Sequence, residues 1–200
     1  ELVTPAAINF MAKYGRGLIC VPMLPERLKK LNLHMMVQDN TSRHSTAFTI
    51  SVDAADGITT GISAHDRSNT IKILANPDAN ADDFVRPGHV FPLRYTDGGV
   101  LTRAGQTEAV IDLVRLAGLY PAGIICEIMA ENGTMARMRA LESFSVKHAV
   151  KIISVADIIA YRRKHEKLIE RVAEARLPIH SSKFTAISYR STVDQDEHVA

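Results

Sequence analysis

The stretch GLICVPM (residues 17–23) is an almost unbroken apolar run of strand length, which is typical of a strand buried inside a sheet. The stretch AGIICEIM (122–129) has the same character. By contrast, TAFTISVDA (46–54) alternates apolar and polar residues as a half-buried strand does. Helical patterns lie between these strands. The mixture predicts a layered α/β or α+β fold, in which a mixed β-sheet is covered by helices in a single domain.

Helix signals flank these strands. Thr4 followed by Pro5 predicts a helix start, and Gly15 can end that helix. Ser63 predicts a cap for a helix over 64–75. The other segments predict a helix over 25–33, a helix from the turn at 103–107 to Gly118, a helix over 139–148 and a strand over 151–155.

The C-terminal part of the sequence changes character. One long charged helix is predicted over 156–176, and Pro178 ends it. Residues 179–183 resemble a linker, and 184–192 predict a strand without a partner in this chain. The predicted organisation is a domain over 1–176 and the beginning of a second domain over 177–200.

Composition excludes several classes of protein. The 200 residues carry 24 Lys and Arg against 22 Asp and Glu, and only 6% are aromatic, which argues against nucleic-acid binding. No apolar run approaches the ~20 residues of a membrane-spanning helix, and no signal peptide opens the chain. Cys20 and Cys126 lack Cys-x-x-Cys spacing, which argues against a zinc or disulfide framework. We therefore expect a cytoplasmic protein without a nucleic-acid or membrane partner.

Two residues beside apolar strands have side chains that can move protons. His89 follows Pro87 and Gly88, which hold it at a defined point of the backbone, although a packed loop histidine would show the same pattern. Glu127 ends an apolar run, where an unpaired carboxylate has a raised pKa suited to acid–base work. Strand alternation could equally turn Glu127 to solvent. The residues alone leave both alternatives open.

The turn LTRAGQT (101–107) predicts an anion site. Arg103 can offer two parallel N–H donors, and Thr107 with the free N–H groups of a helix start can complete the site. An ordinary capped helix, with Thr107 and then Glu108 at its N-terminus, is the alternative.

A hydroxyl-rich turn precedes the helix over 64–75. The segment TTGISAHDR (59–67) places Asp66 and Arg67 at the start of that helix. A helix cap and a surface pair of neighbouring charges account for these residues more simply than a substrate contact does.

Taken together, these segments resemble the 3,4-dihydroxy-2-butanone-4-phosphate synthase family. The resemblance covers roughly residues 1–175 and is carried by TAFTISVDA, GITTGISAHDR, DDFVRPGHVFPLR, GGVLTRAG, PAGIICEI and GTMAR. The tail, with HEKLIERVAEARLPI followed by FTAISYRS, is similar to the junction in bifunctional proteins where this synthase is fused to GTP cyclohydrolase II.

The resemblance implies a lyase of riboflavin biosynthesis. Family members convert ribulose 5-phosphate to 3,4-dihydroxy-2-butanone 4-phosphate and formate, use Mg²⁺ or Mn²⁺, and form homodimers with active sites at the subunit interface. They work in the cytoplasm, or in the plastid stroma of plants. By position, His89 and Glu127 are the catalytic pair. The implied substrate-binding residues are Arg103, Ala104, Gly105, Gln106, Thr107, Glu127, Cys20, Thr60 and Asp66.

The sequence departs from the family pattern in two places. Gln106 stands where the family has a metal-binding histidine, so Gln106 is the implied metal ligand here. The family's acidic loop, with its second metal-binding glutamate, lies upstream of the position of Glu1. These departures predict weak binding and slow turnover by the 200 residues alone. They also raise an alternative, a catalytically impaired domain that serves as a dimerisation scaffold for a fused cyclohydrolase.

Overall fold

The computed structural model describes residues 2–179, 182–194 and 196–200. Its α-helices are α1 (Pro5–Phe10), α2 (Pro25–Lys30), α3 (Ala64–Ala75), α4 (Gln106–Leu116), α5 (Met138–His148) and α6 (Val155–His165). A π-helical segment, Met11–Gly15, extends α1, and 3₁₀ turns span Ala81–Asp83 and Gly99–Leu101. The strands are β1 (Cys20–Met23), β2 (Val52–Ala54), β3 (Phe84–Arg94), β4 (Ile169–Ile179), β5 (Ser182–Ser191) and β6 (Glu197–Val199).

The first sheet is mixed, as predicted, with strand order β1-β3-β2. β1 runs parallel to β3, with Cys20 opposite Phe91, whereas β2 runs antiparallel to β3. The apolar segment 122–129 lies antiparallel beside β1 and joins it through isolated bridges, including Cys20 to Ile125. Of the predicted strand over 46–54, only β2 is regular, since Phe48 and Thr49 form isolated bridges to Leu93 and Met35.

Helices cover the mixed sheet and close its core. Ser63 caps α3 as predicted, since its Oγ accepts a hydrogen bond from the Asp66 N–H at 3.0 Å. Ile71 and Leu74 of that helix are buried. The fully buried side chains Ile8, Met23, Leu31, Leu74, Val52 and Val90 tie α1, α2, α3 and the sheet into one cluster. This core fixes the backbone from which the site residues project.

The prediction of one helix over 156–176 is wrong. Helix α6 ends at His165, and β4 follows, paired antiparallel with β5 in a second sheet of order β4-β5-β6. The strand predicted over 184–192 is present in β5, but it does have partners in this chain. Long-range strand pairing here overrides helix propensity, which is a weak local preference. Residues 180 and 181 of the predicted linker lie outside the described residues.

The strand predicted over 151–155 is also absent. Residues 151–154 are irregular, and α6 begins at Val155. Ser154 and Asp157 form a reciprocal cap, in which each side chain accepts the other's backbone N–H at 3.1 Å. A local helix-start signal therefore prevails at residue 155, while a strand needs a hydrogen-bonding neighbour.

Among the described residues, no helix combines the length and apolar character required to cross a bilayer.

Candidate active site

A cavity of about 650 Å³ opens beside β1 and the N-terminus of α4. It brings together seven of the residues singled out from the sequence: Cys20, Arg103, Ala104, Gly105, Gln106, Thr107 and Glu127. The segment before β2 completes the wall with His44, Thr46 and Phe48. The other three predicted residues, His89, Thr60 and Asp66, do not line this cavity.

The N-terminus of α4 faces the cavity without a side-chain cap. The N-cap residue is Gly105, and no side chain accepts a hydrogen bond there. The alternative in which Thr107 caps the helix is therefore wrong, although Thr107 is buried. Uncapped N–H groups and the positive end of the helix dipole favour an anion at this point.

Arg103 is held beside that helix end by two bonds. Its Nη1 lies 2.6 Å from Oε2 of Glu108, and its Nη2 donates to the carbonyl of His44 at 3.0 Å. Gly105 permits this packing, because a Cβ there would lie 2.7 Å from the Glu108 Oε2. Sequence reasoning assigned Glu108 only to a helix start, yet it is 1% exposed. Its burial indicates a second role that no sequence pattern shows, because a charged side chain is almost never fully buried unless it is paired.

Glu127 is half-buried, and its side chain lines the cavity. Its Oε2 accepts a hydrogen bond from the Leu18 N–H at 3.0 Å. Gly17 permits the close approach, since a Cβ there would lie 2.6 Å from the same oxygen. This bond leaves the carboxylate oriented and within reach of a ligand in the cavity.

Cys20 lines the same cavity as a neutral thiol. Burial raises its pKa to about 12, and the charge of Glu127 and the neighbouring Cys126 add to the rise. The side chain is therefore protonated at neutral pH, where it can contact a ligand but is a poor nucleophile.

His89 is fixed by a carboxylate on the neighbouring strand. Its Nδ1 lies 2.7 Å from Oδ2 of Asp53, and its backbone N–H donates to Oδ1 of Asp53 at 2.9 Å. Asp53 is 5% exposed, whereas the His89 side chain is 45% exposed. Because an ionised carboxylate can only accept, Nδ1 carries the proton and Nε2 is free to accept one.

Sequence reasoning missed Asp53. Its signal was a carboxylate at the end of an alternating strand, but alternation alone could not bring it to His89. Val52 pairs with Val90 and Asp53 with Val85, so the register shift between them leaves residues 86–89 unpaired beside Asp53, where His89 meets its carboxylate. Gly61 packs against the pair in a left-handed conformation, with φ of 90°. A Cβ there would lie 2.6 Å from the His89 Nδ1.

Asp66 organises the turn that carries Thr60. Its carboxylate accepts bonds from the Thr59 N–H, the Thr59 hydroxyl and the Gly61 N–H at 2.8 to 3.1 Å. Burial disfavours its charge, but these hydrogen bonds outweigh burial and hold the pKa of Asp66 below its usual range. The predicted surface pair with Arg67 is wrong, because Asp66 is 4% exposed. Thr60 itself is exposed, next to Gly61 and thus near His89.

The donor groups of the cavity can be compared with the ligands that metals prefer. Among the described residues, no group of three or more His, Cys, Asp or Glu side chains could jointly hold a metal ion. The cavity does offer the carboxylate of Glu127 and the amide oxygen of Gln106. Oxygen donors of this kind suit Mg²⁺, which binds through one or two carboxylates and completes its shell with water and substrate.

Comparison with known proteins places this geometry in a family. The family model described as 3,4-dihydroxy-2-butanone 4-phosphate synthase matches residues 1–161. A curated relative, the riboflavin biosynthesis protein RibBA of Aquifex aeolicus, is 57% identical over 202 residues. That match covers 100% of this chain and 50% of the relative, so the chain spans half the length of this relative.

Two solved structures are similar over most of the chain. RibBX of A. baumannii, a two-domain 3,4-dihydroxy-2-butanone 4-phosphate synthase, is 45% identical with a TM-score of 0.88, and the match covers 99% of this chain and 58% of that one. A 3,4-dihydroxy-2-butanone 4-phosphate synthase in complex with two magnesium ions is 42% identical with a TM-score of 0.78, and 82% of each chain is covered.

Proposed function

The chain belongs to the 3,4-dihydroxy-2-butanone 4-phosphate synthase family, and from this premise we propose that it converts ribulose 5-phosphate to 3,4-dihydroxy-2-butanone 4-phosphate and formate in riboflavin biosynthesis. The proposal rests above all on the cavity that joins an uncapped helix N-terminus and Arg103 to the carboxylate of Glu127. A sugar phosphate needs an anion site and, a few ångströms away, groups that exchange protons with its carbons.

Each residue has a defined part in this reaction. Arg103 and the N–H groups at Gln106 and Thr107 bind the phosphate group, because they supply positive charge and donors at one point. Glu127 exchanges protons with the substrate carbons and hydroxyls. His89, with Nε2 free, serves as the second proton-exchanging group. The neutral thiol of Cys20 contacts the sugar chain.

We also propose Mg²⁺, with Mn²⁺ as a substitute, as the cofactor. A similar solved synthase holds two magnesium ions, and the amide oxygen of Gln106 in the cavity is a donor that suits the same ion. When bound, the ion would hold and polarise neighbouring substrate oxygens. Gln106 is a weaker ligand than a carboxylate, so it supports a metal site that depends on substrate oxygens for part of its shell.

Formate release by the full-length protein tests the function. We expect formate from ribulose 5-phosphate in the presence of Mg²⁺, and loss of at least about 90% of the rate after chelation with EDTA, with recovery on adding Mg²⁺ or Mn²⁺. Ribose 5-phosphate serves as the control substrate. Absence of formate, from a protein that is folded and dimeric, would instead favour the impaired scaffold that Gln106 suggests.

The active species is proposed to be a homodimer whose sites combine two subunits. His89 is 45% exposed and does not line the cavity of its own subunit. Two apolar side chains near His89 are also exposed. Ile62, in the turn before α3, is 53% exposed, and Val85, on β3, is 48% exposed. Exposed apolar side chains around a reactive group are typical of a surface that another subunit covers. In this arrangement His89 of one subunit serves the cavity of the other.

A mixed dimer tests this arrangement. If each site takes His89 from one subunit and Glu127 from the other, a heterodimer of His89→Gln and Glu127→Gln subunits contains one intact site and one doubly altered site. We expect such heterodimers, isolated with two affinity tags, to have about half the wild-type formate release, while both variant homodimers are inactive. Inactive heterodimers would place both residues in a site formed by one subunit.

The C-terminal sheet is proposed to begin a GTP cyclohydrolase II region. β4, β5 and β6 form a sheet separate from β1–β3, and they lie beyond the family match at 1–161. Because β4 crosses residue 176, the second region on this proposal begins with β4 rather than at 177. We propose the cytoplasm, or the plastid stroma in a plant, as the place of action.

A further inference from the structure

We propose that Glu108 is a positioning residue that holds the Arg103 guanidinium against the N-terminus of α4, so that the guanidinium and the helix N-terminus bind the same phosphate group. This inference rests on the proposed function, which makes Arg103 a phosphate ligand. Glu108 itself is absent from the lining of the cavity, and it acts on a ligand only through Arg103.

The geometry around Glu108 divides its two oxygens between two tasks. Oε2 lies 2.6 Å from Nη1 of Arg103, and Oε1 accepts a bond from the Thr96 N–H at 3.3 Å. The first contact orients the guanidinium, and the second links the carboxylate to the segment that follows β3. With Nη2 on the His44 carbonyl, the described residues use two of the five donors of the guanidinium. The guanidinium is thereby fixed at the cavity wall.

Burial makes Glu108 suited to this task. Its side chain is 1% exposed, whereas Arg103 is 32% exposed. A charge taken out of water is costly unless it is paired, so the Glu108 carboxylate strongly favours the conformation in which Arg103 meets it. The first turn of α4 further favours a negative charge at this place. The preorganised arginine then loses little conformational freedom when phosphate binds.

The next acidic residue on α4 differs from Glu108 in its partners. Asp112, one turn later, accepts bonds from Tyr95, the Val100 N–H and Arg162, and these partners do not line the cavity. Asp112 therefore connects α4 to α6 and to the 3₁₀ turn that precedes α4. Of these two buried carboxylates on α4, Glu108 is the one that contacts a cavity residue.

Glu108→Gln in the full-length protein is the test. The amide keeps the size of the side chain and can still accept a bond from Arg103, but it loses the charge, and a neutral hydrogen bond is roughly half as strong as a charged one. We expect KM for ribulose 5-phosphate to rise about tenfold and kcat to change less than about twofold. The dissociation constant of inorganic phosphate, followed through the Arg103 Nε–H signal in NMR, should rise about equally. The exposed Glu142→Gln is the matched control and should change neither constant.

A double variant separates positioning from general disruption. In an Arg103→Ala background, Glu108→Gln should raise KM less than about twofold, because the group through which it acts is gone. An equal rise in both backgrounds, or unchanged phosphate binding in the single variant, would overturn the inference. The phosphate titration also separates this inference from the proposed function. Phosphate binding that depends on Glu108 in a protein that releases no formate would contradict the function and retain the positioning role.

Discussion

Glu127→Gln is expected to slow formate release about a thousandfold, which is within the range that a positioned acid–base group contributes. The amide oxygen can still accept the bond from the Leu18 N–H, so the side chain keeps its place in the cavity. It can no longer take up a proton at neutral pH. Single-turnover formate release by the full-length protein, with the protein in excess over ribulose 5-phosphate, measures the loss.

Two further measurements distinguish lost chemistry from lost structure. The dissociation constant of inorganic phosphate should change less than about threefold, because Arg103 and the α4 N-terminus are untouched. The exposed Glu131→Gln in the following turn is the matched control, and its rate should equal that of the wild type. A rate for Glu127→Gln within about tenfold of wild type would remove Glu127 from the proposed chemistry.

Asp53→Asn is expected to lower kcat about a hundredfold while KM for ribulose 5-phosphate stays within about threefold. The amide can still accept the bond from the His89 backbone N–H, but its NH₂ group cannot accept the proton of Nδ1. His89 then moves its proton to Nε2, or turns its ring, and in either case the free Nε2 is no longer held at its present point.

The tautomer itself can be observed. Nitrogen NMR of the His89 ring should report a protonated Nδ1 in the wild type and a protonated Nε2 in Asp53→Asn at a pH where the ring is neutral. The exposed Asp56→Asn serves as the control, with wild-type kcat and tautomer. Loss of rate with an unchanged tautomer and ring position would show that Asp53 acts otherwise than through His89.

The sequence predicted the fold correctly in some segments of the chain and wrongly in others. The mixed sheet, the helix at 64–75 and its Ser63 cap follow from periodicity and local hydrogen bonding, and they were predicted. The strand predicted over 151–155 failed because the local cap at Ser154 starts α6 there, and the helix predicted over 156–176 failed at β4, whose conformation depends on pairing with β5. A strand is stabilised by a neighbour distant in sequence, and local propensity carries no information about that neighbour.

By itself, the sequence determined which side chains are available for chemistry: Arg103 through Thr107, Glu127, Cys20 and His89 all stand beside apolar strands or at a helix start. Only the tertiary structure decided how they group. It placed Glu127 and the 103–107 turn around one cavity and put His89 elsewhere, against Asp53. It also gave Glu108 a partner in Arg103. The physical reason is that burial and strand register bring together charges far apart in the chain, whereas sequence patterns report only the face on which each residue lies.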